Sequence, residues 1–215
     1  MPEQITVEPI KRGLFLVTGQ MQTGKDTFGA LLASAVGGQT ASLADPIKTI
    51  AINMLGMPRS VAYGSQEARL AWTRYGKNAR EWLQQIGSEH SRALVHDDVW
   101  LHRFMERVGR GACKNFVLTD ARFRNELECL TNPSWWALNN PYHPQEIVFD
   151  PCVKIRIKRT GSENADPHPS EAEQLTIPDS FFDHVIVNDA QGTAVLESAA
   201  KSIARECGIK PHWAI

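Results

Sequence analysis

The chain is poor in the features that would commit it to a membrane, to a disulfide scaffold or to nucleic acid. No apolar run is long enough to span a bilayer, and the first residues, MPEQITVEPIKRG, carry no apolar signal core. Only four cysteines occur in 215 residues, Cys113, Cys129, Cys152 and Cys207, with no C-x-x-C pair. That excludes a zinc ribbon and argues for reduced thiols. Charge of either sign is not in excess: 23 Lys and Arg stand against 24 Asp and Glu, a net charge of −1. Without a global field, any anion must be bound by a local cluster. None of the seven histidines forms an H-E-x-x-H spacing. A soluble, cytoplasmic protein is expected, with no membrane and no nucleic-acid partner.

What is present is concentrated in Gly13 to Ser34, GLFLVTGQMQTGKDTFGALLAS. Leu14 to Val17 reads as a buried strand ending in Thr18-Gly19. Phe28, Leu31, Leu32 and Val36 recur at helical spacing. Strand, glycine-framed loop and helix give the spacing G-x-x-x-x-G-K the context of a phosphate cradle. Gly19 and Gly24 let backbone N–H groups turn toward an anion, and the helix start adds partial positive charge. Lys25 adds a mobile point charge. The plain alternative is an ordinary βα turn with a solvated lysine. Where such loops place Ser or Thr after the lysine, this chain has Asp26, with Thr27 next. A carboxylate beside a triphosphate needs Mg²⁺ or its waters between them; otherwise Asp26 is a helix-start charge favoured by the dipole.

Further along, Gln39 to Leu43 reads as a short strand, Asp45-Pro46 as a helix start and Gly56 as its stop. Met57 to Gly76 has no clean period. Ala79 to Leu94 is expected to be helical, and Asp97 or Asp98 to cap the helix of Leu101, Phe104, Met105 and Val108. Asn115 to Asp120 reads as a buried strand, Ala121 to Leu130 as a helix, and residues 131–151 as an irregular loop containing Trp135-Trp136. That loop is either a local core or an interaction surface. Val153 to Lys158 and His184 to Asn188 read as strands, and Gly192 to Cys207 as the closing helix. Strands separated by helices imply a parallel sheet with helices on both faces, whose ligands bind at the carboxyl ends of the strands. Gly19 to Thr27, Asp45, Asp120 to Arg124, Arg159 and Asn188-Asp189 all follow strand ends. Arg156 and Lys158 read as a solvated face, and Arg159, on the other side, as a phosphate clamp.

Five segments together resemble the phage-type deoxynucleoside monophosphate kinases, a branch of the P-loop nucleoside monophosphate kinases: LVTGQMQTGKDTFGALLA, SLADPIKTIA, REWLQQIGSEHSR with DDVWLHRFMERV, FVLTDARFRNELECL, and HPSEAEQL followed by DHVIVND. The resemblance implies an α/β three-layer fold with a five-stranded parallel sheet. It implies a single kinase domain over residues 1–215, with an acceptor-binding excursion near 57–108 and a lid near 159–178. The implied activity is transfer of the γ-phosphate of ATP, with Mg²⁺, to a deoxynucleoside monophosphate. By motif position, Gly19, Gly24, Lys25, Asp26 and Thr27 would hold phosphates and metal, with Asp120 reaching the metal through water. Asp45, Lys48, Arg80, Trp100, Asp120 and Arg122 would meet the acceptor, Arg159, His168 and Glu171 would fall in the lid, and Asn188 and Asp189 would lie near the adenine. Lys25, Asp26, Arg122 and Arg159 are the candidates for catalysis. A homodimer is compatible with this reading. Two alternatives stay open: a kinase of another small phosphorylated acceptor, of the dephospho-coenzyme A type, and a non-kinase ATP-binding module acting with nucleic acid.

Overall fold

The computed structural model describes residues 9–20, 22–132, 134–135, 147–160, 169–189 and 192–209, with only the backbone of 169–172. Two compact units emerge: one comprises the chain up to Ser42 together with Arg107 onward, and the other is Leu43–Glu106.

The first unit is built on five strands: β1 (Ile10–Thr18), β2 (Gln39–Ala41), β5 (Asn115–Leu118), β6 (Ile147–Lys158) and β7 (His184–Val187). They pair in the order β2-β5-β1-β6-β7, all parallel. The central strand is apolar on both faces, as a doubly covered parallel strand must be. Phe15 and Val17 join one core with Val117, Ile155 and Ile157. Helix α1 (Lys25–Ala35) adds Phe28 and Leu32 to this core, and the last helix, α10 (Ala194–Glu206), adds Leu196, Ala200 and Ile203. Strand alternation sends Leu14, Leu16, Phe116 and Leu118 to the opposite face, where they are as fully buried. Leu127 and Leu130 of α8 (Arg124–Thr131) and Val108 near the end of α7 (Val99–Arg110) are buried as well.

Two expectations need correction. β6 begins at Ile147, so residues 131–151 are not one irregular loop. Its register against β1 shifts between Arg12 and Leu14, and Pro151 falls at that irregularity, where a missing N–H interrupts no regular ladder. The helix expected from Ala121 starts only at Arg124. Glu126 turns back to accept from the N–H groups of Arg122 and Phe123 at 2.7 and 3.0 Å, which holds Ala121–Phe123 outside the helix.

The second unit opens with α2 (Asp45–Leu55), which has Pro46 in its first turn and ends on Gly56 in the left-handed region (φ 63°). The aperiodic stretch after it resolves into α3 (Arg59–Ala62), α4 (Gln66–Ala71) and a hairpin of β3 (Thr73–Arg74) and β4 (Lys77–Asn78). Its two turn residues, Tyr75 and Gly76, both have positive φ, the chemistry of a tight two-residue turn. Asn78 caps α5 (Ala79–Gln84) in a reciprocal pair with Glu81. The helix then widens into a π-helical turn over Gln85–His90 before α6 (Ser91–Leu94). Ala51, Leu55, Met57, Ala62, Ala79 and Ile86 form this unit's own core. The first unit is completed by α9 (Pro169–Thr176) and a 3₁₀ turn at Asp179–Phe181. Among the described residues, no helix is long and apolar enough to cross a membrane.

Candidate active site

The glycine-framed loop joins β1 to α1 at the carboxyl end of the sheet. Thr23, almost wholly buried, closes it by donating its hydroxyl to the Gln20 carbonyl at 2.9 Å. Gly24 is the residue before the helix, at φ 92° and ψ 13°. A side chain there would be strained and would also meet the Asn188 amide nitrogen at 2.6 Å. At Gly19, a Cβ would approach the Ile157 carbonyl oxygen to 2.5 Å. Both glycines are thus needed for close approach of the loop to β6 and the end of β7. Gly29 does the same one turn later, where a Cβ would overlap the Thr119 methyl group.

Lys25 is the first residue of α1 and only 8% exposed. An ammonium in so enclosed a position acts on an anion through a lower effective dielectric than water offers. Asp26 and Thr27, the next two residues, face water in the same turn. There Asp26 interacts favourably with the helix dipole, and its exposure also suits a hydrated cation. The helix start, the loop backbone and Lys25 together have the chemistry that suits an anion.

At the end of β5, Ser42 donates its hydroxyl to the Asp120 carboxylate at 2.5 Å. Ser42 follows β2 directly, so the two neighbouring strand ends are tied by one short charge-assisted bond. Arg122 lies in the link before α8. Arg124 instead pairs with Glu128 at 2.7 Å on an exposed helix face. Arg124 is thus engaged on the helix surface, whereas Arg122 precedes the helix, two residues past Asp120.

Arg159, just past β6, donates to the Asn188 carbonyl at 2.9 Å and to the Gln22 carbonyl at 3.3 Å. The Asn188 side chain donates to the Thr23 carbonyl at 2.9 Å within the buried interior. Asp189 accepts from the backbone N–H of Thr160 at 2.6 Å and from its hydroxyl at 2.5 Å. These bonds hold its carboxyl below the usual carboxylate range. In this structure Arg159, Asn188 and Asp189 brace the loop and the strand ends.

Arg156 does not lie on a solvated face. It is 8% exposed and donates to the carbonyls of Ile177 (2.7 Å) and Gln174 (3.0 Å) and to Asp179 (2.8 Å). Its guanidinium carbon lies 4.1 Å from the Phe182 ring centre. Lys158 reaches the other oxygen of Asp179 at 2.5 Å. Neither Arg156 nor the buried Glu126 is legible in the sequence as a structural residue, because their partners, backbone groups and for Arg156 also Asp179 and Phe182, are ones that no motif marks. The one signal for Glu126 is an acidic residue at the third position of a helix, and it emerges only once that helix is known to start at Arg124.

Of the acceptor candidates, Asp45, Lys48, Arg80 and Trp100 lie in the second unit, and Asp120 and Arg122 in the first. Asp45 and Lys48 are in the first turn of α2, where Lys48 sits 4.6 Å over the Tyr63 ring. Arg80 is in the first turn of α5. Trp100 is an interior residue, 5% exposed, with its indole N–H donated to the Gly87 carbonyl at 2.8 Å. His168 and Trp136 lie outside the described residues, as does the side chain of Glu171. No group of three or more His, Cys, Asp or Glu side chains that could hold a metal ion is found among the described residues.

No family model matches the chain. Among solved structures, a dephospho-CoA kinase from Campylobacter jejuni aligns with a TM-score of 0.45 at 19% identity, covering 92% of this chain and 97% of its own. A shikimate kinase from Acinetobacter baumannii gives a TM-score of 0.42 at 13% identity, with 91% and 92% covered. The deoxynucleoside-5'-monophosphate kinase of Escherichia phage T5 is 29% identical over 113 residues, which are 53% of this chain and 40% of that protein. A protein of Acanthamoeba polyphaga mimivirus, provisionally named a deoxynucleotide monophosphate kinase, is 26% identical over 186 residues, covering 80% of this chain and 86% of that one. In sequence, then, the chain is similar to viral proteins named as deoxynucleotide monophosphate kinases, over most of its length in one case and half in the other.

Proposed function

We propose that this chain transfers the γ-phosphate of ATP to a deoxynucleoside monophosphate, with Mg²⁺ as the counter-ion of the phosphates. The observation that supports this most directly is the loop from Gly19 to Lys25. It is an anion cradle at the carboxyl end of a parallel sheet, on a chain similar to proteins named for that reaction.

Each residue then has a chemical task. The loop N–H groups and the start of α1 hold the β-phosphate, and Lys25 neutralises charge on the β- and γ-oxygens. Mg²⁺, when bound, would screen the triphosphate; hard oxygen donors suit it, and one or two carboxylates with waters suffice beside substrate phosphates. Asp120, held by Ser42, and the water-exposed Asp26 have that chemistry. Arg122 and Arg159 are the cations for the transferring phosphoryl group. Charge spreads over its oxygens, so positioning and electrostatic stabilisation do most of the work. Asp45, Lys48 and Arg80 are assigned to the acceptor. The attacking oxygen belongs to the acceptor's own phosphate, which is anionic at neutral pH, so no strong general base is required.

The test is a coupled assay of ADP release with ATP, Mg²⁺ and each of the four common deoxynucleoside monophosphates, with dephospho-coenzyme A as a separate arm. Turnover with at least one deoxynucleotide is expected. Release no faster than the acceptor-free background with all four would overturn the reading, and turnover with dephospho-coenzyme A alone would replace it.

A further inference from the structure

We infer that Asn188 is a positioning residue that fixes the direction of one phosphate-binding donor, the backbone N–H of Gly24. This rests on reading the Gly19–Lys25 loop as a phosphate cradle.

A trans peptide is planar, with its C=O and N–H pointing in opposite directions. The Thr23–Gly24 peptide is pinned by its oxygen, which accepts from the buried side-chain amide of Asn188 at 2.9 Å. The Gly24 N–H must therefore point away from Asn188, toward the open side of the loop. The preceding peptide is pinned in the same way, with the Gln22 oxygen accepting from Arg159 at 3.3 Å. Its N–H, on Thr23, turns instead to the Gln20 carbonyl at 3.4 Å. Of these two consecutive N–H groups, the loop closes itself with the first and releases the second to a ligand.

Asn188 is well fixed for this task. Its backbone N–H donates to the Lys158 carbonyl at 2.8 Å, and its own carbonyl accepts from Arg159 at 2.9 Å. The side chain is 3% exposed and lies against Gly24, which has no Cβ to obstruct it. Only half of the amide is used, however. Its Oδ1 is buried with no hydrogen-bond partner among the described residues. A buried unsatisfied acceptor is a cost that native structures rarely carry without reason. An apolar side chain of similar size would remove that cost, but it would also free the Thr23 carbonyl. The donor end of Asn188 therefore accounts for the presence of an amide at this position.

The test uses inorganic tripolyphosphate as probe, with calorimetric titration and the ¹H–¹⁵N signal of Gly24 as readouts. In the wild-type chain tripolyphosphate should bind and move the Gly24 amide proton downfield. In Asn188→Leu, binding should weaken about tenfold or more, the scale of one hydrogen bond to a charged group, and the Gly24 shift should be lost. Asn188→Asp, which keeps the shape and removes the donor, should behave alike. Thermal unfolding identifies which variants are folded, and Asn188→Leu serves if the buried carboxylate does not fold. Wild-type binding with an unchanged Gly24 shift and affinity within twofold in a folded variant would overturn the inference alone. No binding of tripolyphosphate by the wild type would overturn the phosphate-cradle reading beneath it.

Discussion

Lys25 combines two properties that seldom meet in a surface loop: an ammonium side chain and near-complete enclosure. Taking an ammonium out of water costs free energy, and the first turn of a helix repels a cation rather than attracting one. An enclosed ammonium at a helix start is suited to an anionic ligand. Replacing it tests that role. Lys25→Ala is expected to lower turnover about 10²–10³-fold, the usual loss for one preorganised charge stabiliser. The protein should still fold, with cooperative thermal unfolding. Activity within threefold of wild type in a folded Lys25→Ala protein would remove Lys25 from the mechanism. The same logic explains why this part of the site is legible in the sequence. Gly19, Gly24 and Lys25 act through backbone geometry set within seven residues, so their spacing carries the information. Asn188, by contrast, reaches Thr23 across 165 positions, and nothing near it in sequence announces that contact.

Among the elements, the junction of β6 with α9 and the 3₁₀ turn shows how a charged side chain can be structural. Arg156 satisfies the carbonyls of Gln174 and Ile177 and one oxygen of Asp179, while Lys158 takes the other. Removing the guanidinium leaves two interior carbonyls without donors. Arg156→Met should therefore lose about 2–4 kcal/mol in urea unfolding. The pH dependence follows from Asp179. Hydrogen bonds from Lys158 first, then Arg156, hold its carboxyl below the usual carboxylate range. A depressed folded-state value means that its contribution is present at neutral pH and is lost as pH falls through that value. Asp179→Asn should accordingly be less stable than wild type at pH 7, with the gap closing in acid; a gap independent of pH would refute the linkage. Strands such as Leu14–Val17 and Phe116–Leu118 are legible because a doubly covered parallel strand is an unbroken apolar run. Ile147–Pro151 is not, because its proline reads as a breaker unless the register irregularity is known. Helices of four and six residues and strands of two, as in Arg59–Asn78, are shorter than any period they could display.

At the scale of the whole molecule, the chain divides its residues between a sheet unit that carries the Gly19–Lys25 loop and the Leu43–Glu106 unit that carries Asp45, Lys48 and Arg80. The sheet unit is legible as a fold from strand–helix alternation alone. The separate core of the second unit, around Ala51, Leu55, Met57, Ala62, Ala79 and Ile86, is not, because its residues are collected from α2, α3, α5, the link after α2 and the π-helical turn after α5. The division gives the proposed reaction a test that does not depend on turnover. Amide hydrogen exchange followed by peptide mass analysis should show ATP with Mg²⁺ slowing exchange in peptides covering residues 13–34 and 115–124. A deoxynucleoside monophosphate added alone should slow exchange in peptides from residues 43–106, because a ligand protects chiefly the structure that must open to release it. At 100 times its dissociation constant, either ligand contributes about 2.7 kcal/mol to the state that binds it, which would slow exchange about a hundredfold where opening requires release. The accepted deoxynucleotide in the turnover assay should be the one that protects residues 43–106. If it protected only residues 13–34, Asp45, Lys48 and Arg80 would lose their assignment while the ATP site stood.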